Sequence, residues 1–84
     1  MYTATIVVID RRSNIFIVQV DDFAEIVTFR KLDVIELQLG DQVSGPLNEP
    51  GRMKLNLKRT GKEFDAFAES GWANRTFAHQ HSLD

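Results

Sequence analysis

Arg52-Met53-Lys54-Leu55-Asn56-Leu57-Lys58 alternates polar and apolar residues without a slip. A period of two puts Met53, Leu55 and Leu57 on one face of an extended strand and Arg52, Lys54, Asn56 and Lys58 on the other. One face toward a core and one toward water is the pattern of an antiparallel sheet. Turn chemistry brackets the stretch on both sides. Before it, Asn48-Glu49-Pro50-Gly51 sets a Pro where φ is fixed and a Gly where a positive φ is needed. After it, Arg59-Thr60-Gly61-Lys62 turns the chain again.

Working toward the N-terminus, Gln42-Val43-Ser44-Gly45 reads as a fourth strand that Pro46 ends, and Gly40-Asp41 punctuates ahead of it. Lys31 to Leu39 has helical spacing at Leu32, Ile35, Glu36 and Leu39 but is too short for a helix, so a loop with at most a helical turn is expected. Phe23 to Arg30 is expected as a third strand, with Val27 and Phe29 on one side and Ile26 and Thr28 on the other. Asp21-Asp22 turns before it. Ile15 to Val20 reads as the second strand. It is apolar on both faces, so either both are covered or one carries a binding surface. Thr3 to Ile9, rich in β-branched residues, is the first strand, and Asp10 to Asn14 supplies a hairpin loop.

Toward the C-terminus, Glu63 to Glu69 reads as a sixth strand with Phe64, Ala66 and Ala68 on one side. The spacing of Phe64, Phe67 and Ala68 also suits a helical turn, but the meander before it favours the strand. As a strand it turns Phe64 and Phe67 to opposite faces, so one of them is exposed or covered by the tail. From Trp72 to Asp84 no period appears, and a flexible tail is expected over 71–84, with Trp72 and Phe77 able to pack back. Short strands with closely spaced turns indicate a sandwich or barrel, and in so short a chain a barrel is expected over 1–70, because closure removes exposed edges.

Composition narrows the functions. With 43% hydrophobic and 26% charged residues in 84, the chain reads as one small globular domain. Ten Lys plus Arg against twelve Asp plus Glu give a net charge of −2, which excludes a strongly basic nucleic-acid protein of the histone type. Without cysteine there is no disulfide framework, thiolate metal site or Cys nucleophile. The start lacks the basic region of a signal peptide, and Ile6 to Ile9 is too short to span a membrane, so a cytoplasmic protein that does not bind membranes is expected.

Charge is nevertheless segregated. Residues 51–62 carry Arg52, Lys54, Lys58, Arg59 and Lys62 and no acid, while residues 21–50 carry seven acids against Arg30 and Lys31. Arg52, Lys54 and Lys58 form a cationic row on one strand face. Such a row can track a phosphate backbone, or be a solvated face that protects an edge. Single-strand binding also needs rings on which bases stack. Phe16 and Phe29, on neighbouring strands, are the candidates unless they belong to the core. His79 and His81 lack a third ligand, Asp21-Asp22 is placed as a turn, and no Gly-rich phosphate loop is present, so no metal, cofactor or enzymatic activity is expected.

Leu37-Gln38-Leu39-Gly40-Asp41-Gln42-Val43, followed by Gly51-Arg52-Met53-Lys54-Leu55-Asn56-Leu57-Lys58, resembles the end of the OB-fold RNA-binding module repeated in the large RNA-capturing protein of the bacterial small ribosomal subunit. Val8-Ile9-Asp10, Phe16-Ile17-Val18 and Glu25-Ile26-Val27-Thr28-Phe29 resemble its earlier strands, so the likeness runs over residues 4–58. The chain departs from that family at Asn14-Ile15, where a Gly is usual, in keeping only Phe16 of an aromatic pair, and at Thr28, where the family has a His. The resemblance implies an OB-like antiparallel barrel of five to six strands that binds single-stranded RNA or DNA through Phe16, Thr28, Phe29, Arg52, Lys54 and Lys58. The acidic 21–50 half favours the alternative of a protein-interaction module that holds its partner by a barrel edge or the Trp72 tail.

Overall fold

In a computed structural model of the chain, residues 1–23 and 25–70 are described, apart from the side chain of Ser70. The expected tail, with Trp72, Phe77, His79 and His81, lies outside the described residues. Six strands follow in order: β1 (Tyr2–Asp10), β2 (Ile15–Val20), β3 (Ile26–Lys31), β4 (Gln42–Gly45), β5 (Gly51–Leu57) and β6 (Lys62–Ser70). They close into a barrel of spatial order β1-β2-β3-β6-β5-β4 in which every neighbouring pair is antiparallel. The strand that completes the ring, β6, lies beyond residues 4–58 and inserts between β3 and β5. Among the described residues no helix is long and apolar enough to cross a membrane.

Strands β2 and β4 have the bounds read from the sequence. The third starts at Ile26 rather than Phe23: Asp22 takes φ 66°, and Val20 N–H donates to Glu25 O at 2.8 Å just ahead of the first ladder pair, Gln19 with Ile26. Asn14 also takes a left-handed φ, 60°, at the position where the resembling family has Gly. Asn tolerates this region better than most residues, so it suits the turn between β1 and β2. Gly51 has φ +88°, as the turn chemistry requires.

Alternation groups the side chains as expected, with Met53, Leu55 and Leu57 inward, and the structure shows that Val27 and Phe29 and the set of Phe64, Ala66 and Ala68 also point inward. With Ala4, Ile6, Phe16, Val18, Val20 and Val43 they fill the interior, and Leu37 and Leu47 enter from loops. Packing is tight where β4 meets β5. A Cβ on Gly45 would lie 2.5 Å from Leu55 Cδ2 and 3.1 Å from the carbonyl oxygen of Lys54.

Residues 32–41 form an irregular strap rather than a helical turn, and cationic side chains hold its backbone. Lys31 Nζ donates to Ile35 O at 2.8 Å, Arg11 Nη2 to Leu37 O at 3.4 Å, and Arg59 Nη2 to Glu36 O at 3.3 Å. The strap ends at Asp41, which is buried. Its carboxylate accepts from Arg59 Nε at 2.9 Å, from Arg59 Nη2 at 3.2 Å and from Gln38 N–H at 2.9 Å. These bonds explain the Gly40-Asp41 signal. Gly40 supplies φ +88° for the corner, and Asp41 satisfies its own loop and reaches across to the β5–β6 turn.

Hydrogen bonding from Arg59 is the largest influence on the Asp41 carboxyl and holds it below its ordinary 3.8. Burial pushes the other way, and the Gln38 N–H and the Arg59 charge add to the lowering. A folded value below the unfolded one adds stability above about pH 3.8, which is lost as pH falls toward the folded value. Asp41→Asn is therefore expected to lower the urea midpoint at pH 7, with the gap to the parent protein narrowing below pH 4. Gly45→Ala is expected to cost about 1–3 kcal/mol, the usual cost of overpacking, read as a lower midpoint at unchanged slope.

Candidate functional site

The register of the ladder places the outward-facing residues in rows across the strands. One row runs Asp10–Ile15–Arg30–Phe67–Arg52, from β1 through β2, β3 and β6 to β5. The row above it runs Val8–Ile17–Thr28, and the next Thr5–Gln19–Ile26. A bulge between Ile6 and Val8 brings Val7 to the surface beside them. The outer wall therefore has two neighbouring regions. The face of β1, β2 and β3 carries an apolar cluster of Val7, Val8, Ile15, Ile17 and Ile26 among Thr5, Gln19 and Thr28, and the face of β6 and β5 is charged around Phe67.

The six residues read from the sequence divide among four places. Phe16 and Phe29 are 1% and 0% exposed, and their rings stack on each other with centroids 5.3 Å apart and planes at 17°. Phe64 packs on Phe16 at 6.0 Å. This corrects their assignment as stacking platforms. They are directly opposed across β2 and β3 on the inward face, and a nucleobase has no access to either ring. Thr28 faces outward, half-buried, within the apolar row. Arg52 and Lys54 face outward on β5, but both are held by one carboxylate on β6. Arg52 Nη2 lies 2.8 Å from Asp65 Oδ2 and Lys54 Nζ 3.2 Å from Asp65 Oδ1. Lys58 lies beyond the end of β5, in a shallow cleft lined also by Tyr2, Thr3, Asp21, Asp22, Phe23 and Gln42. The cationic row is thus split, with one part paired and the other beside an acidic turn.

Phe67 is the exposed ring that the sequence left undecided between itself and Phe64. It is 39% exposed and lies between Arg30 and Arg52 in its row, with the Arg30 guanidinium carbon 6.0 Å from the ring centroid. Arg30 Nη2 in turn reaches both carboxylate oxygens of Glu69, at 2.7 and 2.6 Å. Arg30, Arg52 and Lys54 are matched by Asp65, Glu69 and Glu63, so this half of the wall is close to neutral.

The turn read from the sequence, Arg59 to Lys62, would set Lys58 opposite Glu63 and Lys54 opposite Phe67, because in a regular hairpin each step back along one strand is matched by a step forward along the other. The turn is instead 58–61, with Leu57 opposite Lys62, and this shift brings Asp65 to Lys54 and Phe67 to Arg52. The apolar half had its own signal in β2, which is apolar on both faces. Inward Phe16 and Val18 leave Ile15 and Ile17 to the outer wall, where Val7, Val8 and Ile26 join them, Ile26 at 55% exposure. No family model, curated protein or solved structure matches the chain.

Hydrogen bonds first from Arg52 and then from Lys54 lower the Asp65 carboxyl below its ordinary 3.8. In a side-chain carboxyl NMR titration, Asp65 is expected to titrate below 3.8. Arg52→Gln is expected to raise that midpoint more than Lys54→Gln.

Proposed function

We propose that this barrel is a protein-interaction module that holds its partner on the outer face of β1, β2 and β3. The reading rests on the contiguous rows of Val7, Val8, Ile17 and Ile26. A chain of 84 residues has few large apolar side chains to spare from its core. Here four of them stand side by side on the solvent side of three adjacent strands. Scattered surface apolar residues are ordinary, whereas contiguous ones mark contact surfaces. Each Å² covered by a partner adds roughly 25 cal/mol of driving force, so a patch of this kind supports binding without new chemistry. Closure pairs the strand edges with one another, which moves the expected contact from an edge to a face. The proposal carries the cytoplasmic setting expected from the sequence and assigns no catalytic role, since the barrel interior is filled by the side chains of the core.

A second reading, weak binding of single-stranded nucleic acid, is favoured by Phe67 alone. A ring flanked by Arg30 and Arg52, with Lys54 on the next row, has the composition of a base-stacking platform. Asp65 and Glu69 compete with phosphate for these cations, so such binding would be weak and steeply salt-dependent.

One pair of experiments separates the two. Tagged protein with Val8→Asp and Ile26→Asp is expected to lose a nuclease-resistant protein partner that the parent captures from extract. Retention of every partner by this variant refutes the face. Fluorescence titration with short single-stranded RNA at low salt is expected to show no saturable binding by the parent below tens of micromolar, whereas tight binding abolished by Phe67→Ala would establish the second reading instead.

A further inference from the structure

The apolar face has a charge arrangement that selects one kind of partner. Its lowest row reads Asp10, Ile15, Arg30 from β1 to β3: an anion, an apolar centre on the middle strand, and a cation. Neighbouring strands are about 4.8 Å apart, so the backbones that carry the two charges sit roughly 10 Å apart with that of Ile15 midway. Asp10 and Arg30 are exposed, and the rows above add Val8–Ile17–Thr28 and Thr5–Gln19–Ile26. A half-turn about an axis lying along β2 in the plane of contact exchanges the β1 and β3 sides and leaves β2 in place. Under that rotation Ile15 meets Ile15, Ile17 meets Ile17 and Val8 meets Thr28. Each Asp10 meets Arg30 of the second copy, twice by symmetry. An isologous contact requires this kind of self-complementarity.

We infer that the partner of this face is a second copy of the chain, related by a two-fold axis along β2 and registered by reciprocal Asp10–Arg30 pairs. The inference rests on the reading of β1, β2 and β3 as a docking face. Arg30 can serve both carboxylates, because its contacts with Glu69 use only Nη2 and a guanidinium carries five donors. The barrel wall is convex, so the contact is small and belongs with transient interfaces rather than obligate dimers. Its charge pairs lie at a rim, so association should weaken as salt rises.

Sedimentation equilibrium of the full chain at concentrations up to about 1 mM, the range of weak transient contacts, tests the inference. The weight-average mass is expected to climb from 9.6 kDa toward twice that value. Asp10→Arg sets two guanidiniums against each other at both symmetric contacts, and Arg30→Glu does the same with two carboxylates, so each variant alone is expected to stay monomeric. An equimolar mixture of the two is expected to associate, because a dimer of one variant with the other places opposite charges together at each contact. A parent that stays at 9.6 kDa throughout, single variants that associate as well as the parent, or a mixture no better than its components overturns the two-fold pairing. If a variant fails to fold, dilution of the labelled parent decides instead. Amide shifts confined to β1, β2 and β3 support the pairing, and shifts elsewhere overturn it together with the face. A monomeric parent whose Val8→Asp and Ile26→Asp variant still loses an extract partner overturns the second copy alone and leaves the face standing.

Discussion

The insertion of β6 between β3 and β5 determines most of what this barrel can do. Without it, β3 and β5 would each present an unpaired edge, and a small sheet with two open edges is an invitation to aggregation. Its antiparallel register with both neighbours sends Phe64, Ala66 and Ala68 inward and turns Asp65 and Phe67 out. The inward set completes the interior, where Phe64 leans on the Phe16–Phe29 stack. The outward set brings a carboxylate to Arg52 and Lys54 and an aromatic ring between two guanidiniums. One strand placement thus closes the core and neutralises the cations that, on an isolated β5, would face solvent as a positive stripe.

The remaining cations are largely engaged in architecture too. Arg11, Lys31 and Arg59 donate to the backbone of the 32–41 strap, a segment with no ladder of its own. A loop laid over a barrel exposes carbonyls that must be satisfied, and long cationic side chains from the barrel do this without regular structure. Asp41 then anchors the C-terminal end of the strap to Arg59, with Leu37 in the core between these supports. Between the acidic 21–50 and basic 51–62 blocks, Arg59 reaches Asp41 and the Glu36 carbonyl, whereas Arg52 and Lys54 meet Asp65, outside the acidic block. A charge contrast along a chain predicts a field on the surface only where the charges stay unpaired, and here Arg52, Lys54 and Arg59 have carboxylate partners.

What the residues revealed in advance divides along the same physical line. Strand existence, the inward face of β5, the grouping of side chains by side along β3 and β6, and the Pro50–Gly51 corner follow from local alternation and turn chemistry, and these were legible. The fate of Phe16 and Phe29 was not. Each stands in a strand with apolar residues on both faces, and only the pairing of β2 with β3 decides which face is interior. The strap was obscured for a related reason: Leu32, Ile35 and Leu39 have a helical period, yet Leu37 is the residue that enters the core. Short segments take their conformation from the surface they cover, and tertiary contacts override local spacing. The Asp65 pairing depends on whether the turn starts at Lys58 or Arg59, which residue types there do not decide, and the β3–β6 contact, between strands far apart in the chain, carried no local trace.

The apolar residues of the outer wall could be ascribed to strand propensity alone, since Val and Ile form strands well wherever they sit. That account explains each residue but not their distribution. The outward positions of β5 are Arg52, Lys54 and Asn56, and those of β6 include Glu63, Asp65 and Glu69, in strands as regular as β2. If propensity were the cause, apolar residues should be scattered around the ring. Apart from Phe67, they gather on β1, β2 and β3, where Val8 stands opposite Ile17 and Ile26 lies on the diagonal from Ile17, within reach of cross-strand contact. A barrel this small can hold its core with the inward half of each strand. What the outward half carries is free to serve contact with another molecule, and the concentration of apolar side chains on a single wall, edged by Asp10 at one side and Arg30 at the other, gives that contact both a place and an orientation.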